Sequence, residues 1–141
     1  MEEYTAAFQA LSDQTRVRII WLLANMQIKI CVCEITEVLN ESEFKVSRHL
    51  KILKSAGFLG EEKEGRWVFY FLKNSGNVYL QTILRAVRAI PRETFIVEIE
   101  RCRQLLLCGE MKSCRIGVNS DEWKTALKRT IENMGGNSNE G

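Results

Sequence analysis

Two thiols stand one residue apart in the stretch Ile30-Cys31-Val32-Cys33-Glu34-Ile35-Thr36. Ionised thiols bind soft metal and metalloid ions and are also the sulphurs that oxidise most readily, and a helix N-terminus favours the ionised form. The apolar residues that follow put this pair at the entrance to an amphipathic helix. Side chains two residues apart on a helix point about 200° away from each other. Cys31 and Cys33 therefore cannot both pack into one core and are badly placed for a disulfide with each other, and one ion reaches both only if the first turn unwinds.

Three further cysteines, Cys102, Cys108 and Cys114, follow at a spacing of six residues. That spacing sets them about 120° apart around a continuous helix. Gly109 breaks the pattern, so a loop carrying Cys108 and Cys114 could fold over an ion beside Cys102, as a site of its own or as the completion of the Cys31/Cys33 site. Five cysteines is an odd number, and without a small, loop-rich secreted pattern it points to reduced thiols in the cytoplasm. A thiol enzyme is disfavoured: the chain has no C-x-x-C, no α/β pattern that builds a cleft, and no histidine beside a cysteine.

The second chemical feature is basic. Residues 44–58 carry Lys45, Arg48, Lys51 and Lys54, with the single histidine, His49, among them and no acid. By charge alone this is either a nucleic-acid contact or a solvated helix face. The net charge of +2 over 141 residues averages over unlike regions, and the length suits one domain. No apolar run approaches the roughly 20 residues of a membrane-spanning helix, and the acidic N-terminus does not resemble a signal peptide. The expectation is a soluble cytoplasmic protein with no membrane partner and no organic cofactor.

The elements that must position these residues can be read from periodicity and caps. A short helix at residues 1–11 is followed by Ser12-Asp13, where Ser12 can cap a second helix bearing Val17, Ile20, Trp21 and Ala24. A third, residues 31–39, turns Ile35, Val38 and Leu39 inward. Ser42 is placed to cap a fourth helix, which carries the stripe Val46, Leu50, Leu53 and ends at Gly57. Two β-rich runs around Lys63-Glu64-Gly65-Arg66 then read as a hairpin. Helix, short break, helix and a hairpin with a basic tip make a winged helix-turn-helix, of mainly α (α+β) class. Leu80, Ile83, Leu84, Val87 and Ile90 form a further stripe ending before Pro91. With the N-terminal helix and the apolar helix at 92–107, this stripe is the expected homodimer interface. Helices at 92–107 and from Ser120 on, bearing Trp123, Leu127, Ile131 and Met134, complete the pattern. The organisation expected is a DNA-binding and dimerisation domain at 1–90, a cysteine-containing helical extension at 91–134 and a flexible tail at 135–141.

Residues 42–72, with Val46-Ser47-Arg48-His49-Leu50, Ala56-Gly57 and Gly65-Arg66-Trp67-Val68-Phe69-Tyr70, resemble the reading head of the ArsR/SmtB family of metal- and metalloid-responsive repressors. Phe8-Gln9-Ala10-Leu11-Ser12-Asp13 and Thr15-Arg16 are similar to that family's first helices, so the resemblance covers residues 4–90. It implies operator DNA as partner, with Ser42, Lys45, Ser47, Arg48 and His49 on the reading helix, Lys51 beside them, and Lys63 and Arg66 on the wing. A reading helix offers its first turns to base edges, and lysines and arginines around it clamp phosphates. Among the five cysteines, Cys31-Val32-Cys33-Glu34 looks like the Cys-Val-Cys-Asp box of the arsenic-responsive branch. That implies As(III), or another soft thiophilic ion such as Sb(III), Cd(II) or Pb(II), as inducer on Cys31 and Cys33. Thr36 stands where many of those members have a third cysteine, and the family's histidine-based zinc site lacks its histidines between Asn77 and Ile90. A redox- or persulfide-responsive repressor of the same fold is the alternative.

Overall fold

A computed structural model of the chain describes residues 1–74, 76–108 and 121–133. Its elements run α1 (Glu2–Ala10), α2 (Gln14–Met26), β1 (Ile30–Cys31), α3 (Val32–Leu39), α4 (Glu43–Ser55), β2 (Leu59–Glu64), β3 (Trp67–Leu72), α5 (Val78–Arg88), a 3-10 turn (Arg92–Phe95), α6 (Ile96–Cys108) and α7 (Asp121–Glu132). Helix α2 is central: every residue from Ile19 to Met26 is buried, because α4, α5, α7 and β3 cover it from different sides.

The helix-turn-helix forms where its caps and stripe predict. Ser42 accepts a hydrogen bond from the backbone of Lys45 at 3.2 Å, and Val46, Leu50 and Leu53 are fully buried on one side of α4. The chain leaves α4 through Gly57 at φ +96°, a left-handed conformation that a side chain would strain. Strands β2 and β3 pair antiparallel from Leu59↔Leu72 to Glu64↔Trp67, closed by Gly65-Arg66 with Gly65 at φ +63°.

The cap of α2 differs from the expectation. Asp13 accepts from the Arg16 N–H at 3.1 Å, whereas the Ser12 hydroxyl donates back to the Gln9 carbonyl at 2.7 Å and closes the end of α1. Both residues are good caps, and the path of the chain decides between them. In urea unfolding, Asp13→Ala is expected to cost about 1 kcal/mol and Ser12→Ala only a few tenths; equal losses would return the cap to Ser12.

Two larger differences bear on function. A short strand, β1, precedes α3 and pairs with β3 (Ile30↔Tyr70, Cys31↔Phe69), so the sheet has three strands in the order β1-β3-β2. The stripe on α5 is also occupied within the chain. Leu80, Leu84 and Val87 are 3%, 5% and 5% exposed in the core against α2, and Ile83 is half-buried. They therefore do not form an open face for a second copy. The apolar residues left in solvent nearby are Met1, Tyr4 and Phe8, one stripe on α1, and Val78 at the start of α5, with Tyr4 packed on Tyr79 at 4.6 Å between ring centres.

The 3-10 turn and helices α6 and α7 join the same core, through Phe95, Ile99, Cys102, Leu105, Trp123 and Leu127. Phe95 stacks on Trp21 with ring centres 4.3 Å apart, and Arg101 donates to the Glu37 carbonyl at the end of α3 at 2.8 and 3.1 Å. Met134, Gly109, Cys114, Ser120 and the tail at 135–141 lie outside the described residues.

Candidate nucleic-acid interface and thiol site

On α4, Ser42, Lys45, Arg48 and Lys51 are exposed and Ser47 is half-buried. The buried stripe packs against α3, β2 and α2, so these residues face away from the body of the protein. The Arg48 guanidinium lies 5.8 Å from the centre of the Phe44 ring, which is itself 75% exposed. Phe44 was not singled out from sequence; an exposed aromatic on the first turn of a basic helix is the signal that marks it. His49 is half-buried, and its Nδ1 accepts from Arg16 at 3.1 Å. Burial, with the charges of Arg16 and Arg48, holds its pKa below the ordinary value against the pull of Asp13 and Glu41. Arg16 also donates to the Ala10 and Gln9 carbonyls, so it ties α1, α2 and α4 together, and His49 belongs to that joint rather than to a metal site.

At the wing, Lys63 and Arg66 are exposed, and Arg66 lies over the Trp67 ring at 4.9 Å. The wing also carries acids, and cations hold them. Lys54 pairs with Glu61 at 3.1 Å, while Lys29 pairs with Glu62 at 2.7 Å and with Glu64, its ammonium 5.3 Å from the centre of the Phe69 ring. Lys29 had no signal in the sequence, because its partners are 33 and 35 residues away.

The sulphurs of Cys31 and Cys33 converge, with Sγ to Sγ at 2.9 Å. The expected splay of the two side chains, and the need for the first turn to unwind, are both corrected. Cys31 is not inside the helix: it is the extended N-cap (φ −84°, ψ 161°) that ends β1, and only Cys33 lies in the first turn of α3. Glu34, fully buried at the third helical position, accepts from the Cys31 N–H at 2.9 Å, so the sequence Cys-x-x-Glu here forms a reciprocal capping box. Burial, with the Glu34 carboxylate beside it, pushes the Cys31 thiol up to about 12. The helix N-terminus thus does not make Cys31 a ready thiolate, contrary to the expectation. Cys33 is half-buried and disulfide-bonded in this structure. The Thr36 hydroxyl donates to the Cys33 carbonyl at 2.6 Å, which occupies it within the helix.

The described residues do not hold three or more His, Cys, Asp or Glu grouped for a metal ion. Cys102 is fully buried in the core, where burial and then Glu98 push its thiol up to about 12. Cys108 is exposed at the last residue of α6. The donors brought together among the described residues are therefore the sulphurs of Cys31 and Cys33, a set that suits a soft ion and not a hard one.

A helix-turn-helix flanked by a basic-tipped hairpin defines a winged helix-turn-helix fold. Residues 13–60 match the family described as "Bacterial regulatory protein, arsR family". The chain is 38% identical over 74 residues to the arsenical resistance operon repressor of Bacillus subtilis, covering 52% of this chain and 70% of that one. It belongs to the arsR family. An arsenic resistance transcriptional regulator of Pseudomonas putida is 46% identical over 65 residues, covering 46% of this chain and 56% of its own; the chain thus spans little more than half of that relative's length. The solved structure of HlyU from Vibrio cholerae N16961 shares the fold, with TM-score 0.53 and 22% identity over 62% of this chain and 89% of that one. No helix among the described residues is long and apolar enough to cross a membrane.

Proposed function

We propose that this chain is a cytoplasmic, homodimeric repressor that leaves its operator when a soft metal or metalloid ion, As(III) or Sb(III) first among them, is held by the reduced sulphurs of Cys31 and Cys33. The observation that carries the reading is the convergence of those two sulphurs at the N-cap of the first helix of the helix-turn-helix. Lys45, Ser47 and Arg48 reach base edges or phosphates from the first turns of α4, Ser42 caps that helix, Lys51, Lys63 and Arg66 clamp the backbone, and Phe44 offers an apolar contact of the kind thymine methyls accept.

A bound thiophilic ion supplies bonds to two thiolates at once. The residues then do the rest. Cys31 is at the same time the cap of α3 and the β1 partner of Phe69, so a shift of its side chain disturbs the Glu34 hydrogen bond on one side and the wing sheet on the other. Both motions act on elements that place α4 and the hairpin against DNA. A coupling of about 1–3 kcal/mol between two such states loosens the operator several-fold to about a hundredfold. The decisive experiment titrates reduced protein on the DNA upstream of its own coding sequence with As(III), Sb(III), Cd(II), Pb(II) and Zn(II) in parallel. Release by As(III) or Sb(III) at the lowest concentration supports the reading; release by none of them ends it.

The disulfide at Cys33, made while Cys31 stays a thiol, favours a second reading, a thiol redox switch at Cys33. Release that follows oxidant or sulfide and ignores As(III) would establish it.

The second copy meets the apolar stripe Met1, Tyr4, Phe8 and the neighbouring Val78, which the chain leaves exposed. Phe8→Asp is expected to convert a dimer to a monomer in sedimentation without loss of helix content. A dimer that persists in the variant places the interface elsewhere.

A further inference from the structure

Three acids, Glu61, Glu62 and Glu64, line the β2 edge of a wing that has to approach phosphates. Left uncompensated they would repel DNA. Glu61 is held by Lys54 on the neighbouring helix α4. Glu62 and Glu64 are held by Lys29, whose ammonium also lies over the Phe69 ring, 5.3 Å from its centre. Lys29 directly precedes β1. It sits between two fixed points: α2 ends at Met26, Gln27 turns at φ +60°, and Ile30 and Cys31 are already paired to β3. Cys31 and Glu62 are also the two outer members of one rung, since both lie opposite Phe69, on its two sides.

The geometry points to Lys29 as a positioning residue that reports the state of Cys31 to the wing. With β1 in place, its ammonium neutralises Glu62 and Glu64 and lets Lys63 and Arg66 meet the phosphates. When Cys31 is drawn out of register, Lys29 moves with it, and the two carboxylates add like-charge repulsion against the DNA backbone. Electrostatics of this kind acts within a Debye length and fades with salt. The inference rests on the reading of Cys31 and Cys33 as the inducer site and names how that site reaches the DNA.

The test is a cycle on this chain: Lys29→Met, which keeps an apolar side chain of similar length and removes the charge, Glu62→Gln/Glu64→Gln, and all three together, with Lys29→Arg as the conservative variant. In gel shifts without inducer, Lys29→Met is expected to weaken operator binding about two- to tenfold at low salt, and Lys29→Arg to restore most of it. The loss should shrink as salt rises and vanish in the Glu62→Gln/Glu64→Gln background. With arsenite as probe, Glu62→Gln/Glu64→Gln should bind as much arsenic as the parent yet be released over a smaller fold. A Lys29→Met loss that persists in the double-glutamine background makes Lys29 a direct DNA contact and overturns the inference; so does an unchanged arsenite response of the double-glutamine protein. Should the parent itself ignore arsenite, the inducer reading falls, while the cycle without inducer still decides what Lys29 does to the wing.

Discussion

Replacing Lys45 and Arg48 together by alanine is expected to abolish operator binding and leave the fold intact. Both side chains are exposed on the first two turns of α4, on the side away from Val46, Leu50 and Leu53, and alanine is a good helix former, so the core loses no contact. A base-edge contact is worth about 1–3 kcal/mol, and each lost phosphate contact also lowers the salt slope by about 0.9. The joint loss is therefore about a hundredfold or more at fixed salt. Gel-shift titrations at several salt concentrations, with circular dichroism as control, read both quantities. Single changes of Lys51, Lys63 or Arg66 should instead weaken all DNA sequences alike, as phosphate contacts do. Unchanged affinity in the double variant would remove α4 from the interface.

The helix-turn-helix and the hairpin were legible because their signals are local: a serine cap, an apolar stripe at helical spacing, and glycines where the backbone must turn left-handed. What the sequence hid is non-local. Strand β1 is two residues long and has no pattern of its own; it exists because β3 offers an edge. Its presence moves the start of α3 past Cys31, and that one-residue shift turns a splayed pair of sulphurs into a converging one. The stripe of Leu80, Leu84 and Val87 showed that α5 buries a face, yet periodicity cannot say against what, and α2 of the same chain takes it. Lys29 and Arg16 act through partners some 33 residues away, at distances along the chain where spacing carries no information. The same holds for Arg101, whose hold on Glu37 fixes the end of α3 opposite to its sulphurs.

Cys31→Ser/Cys33→Ser is expected to yield a repressor that binds its operator and is no longer released by As(III). Serine is a favoured residue at an N-cap and forms the same capping box with a glutamate three residues on, so the position of Cys31 tolerates it structurally. A hydroxyl is nevertheless a poor ligand for a soft ion, so the chemistry is lost while the helix is kept. Release of this variant at the parent's As(III) concentration would sink the assignment. The C-terminal cysteines are tested beside it by counting As(III) bound per subunit. Cys102→Ala should keep both binding and release, because its thiol is fully buried among apolar side chains and held protonated there. Cys108→Ser/Cys114→Ser is the informative partner. Loss of the same single ion in this variant and in Cys31→Ser/Cys33→Ser means one shared site, with a C-terminal thiolate doing what Thr36, engaged on the Cys33 carbonyl, does not. One ion surviving each set of changes means two sites, and full binding with full release leaves Cys108 and Cys114 outside the response.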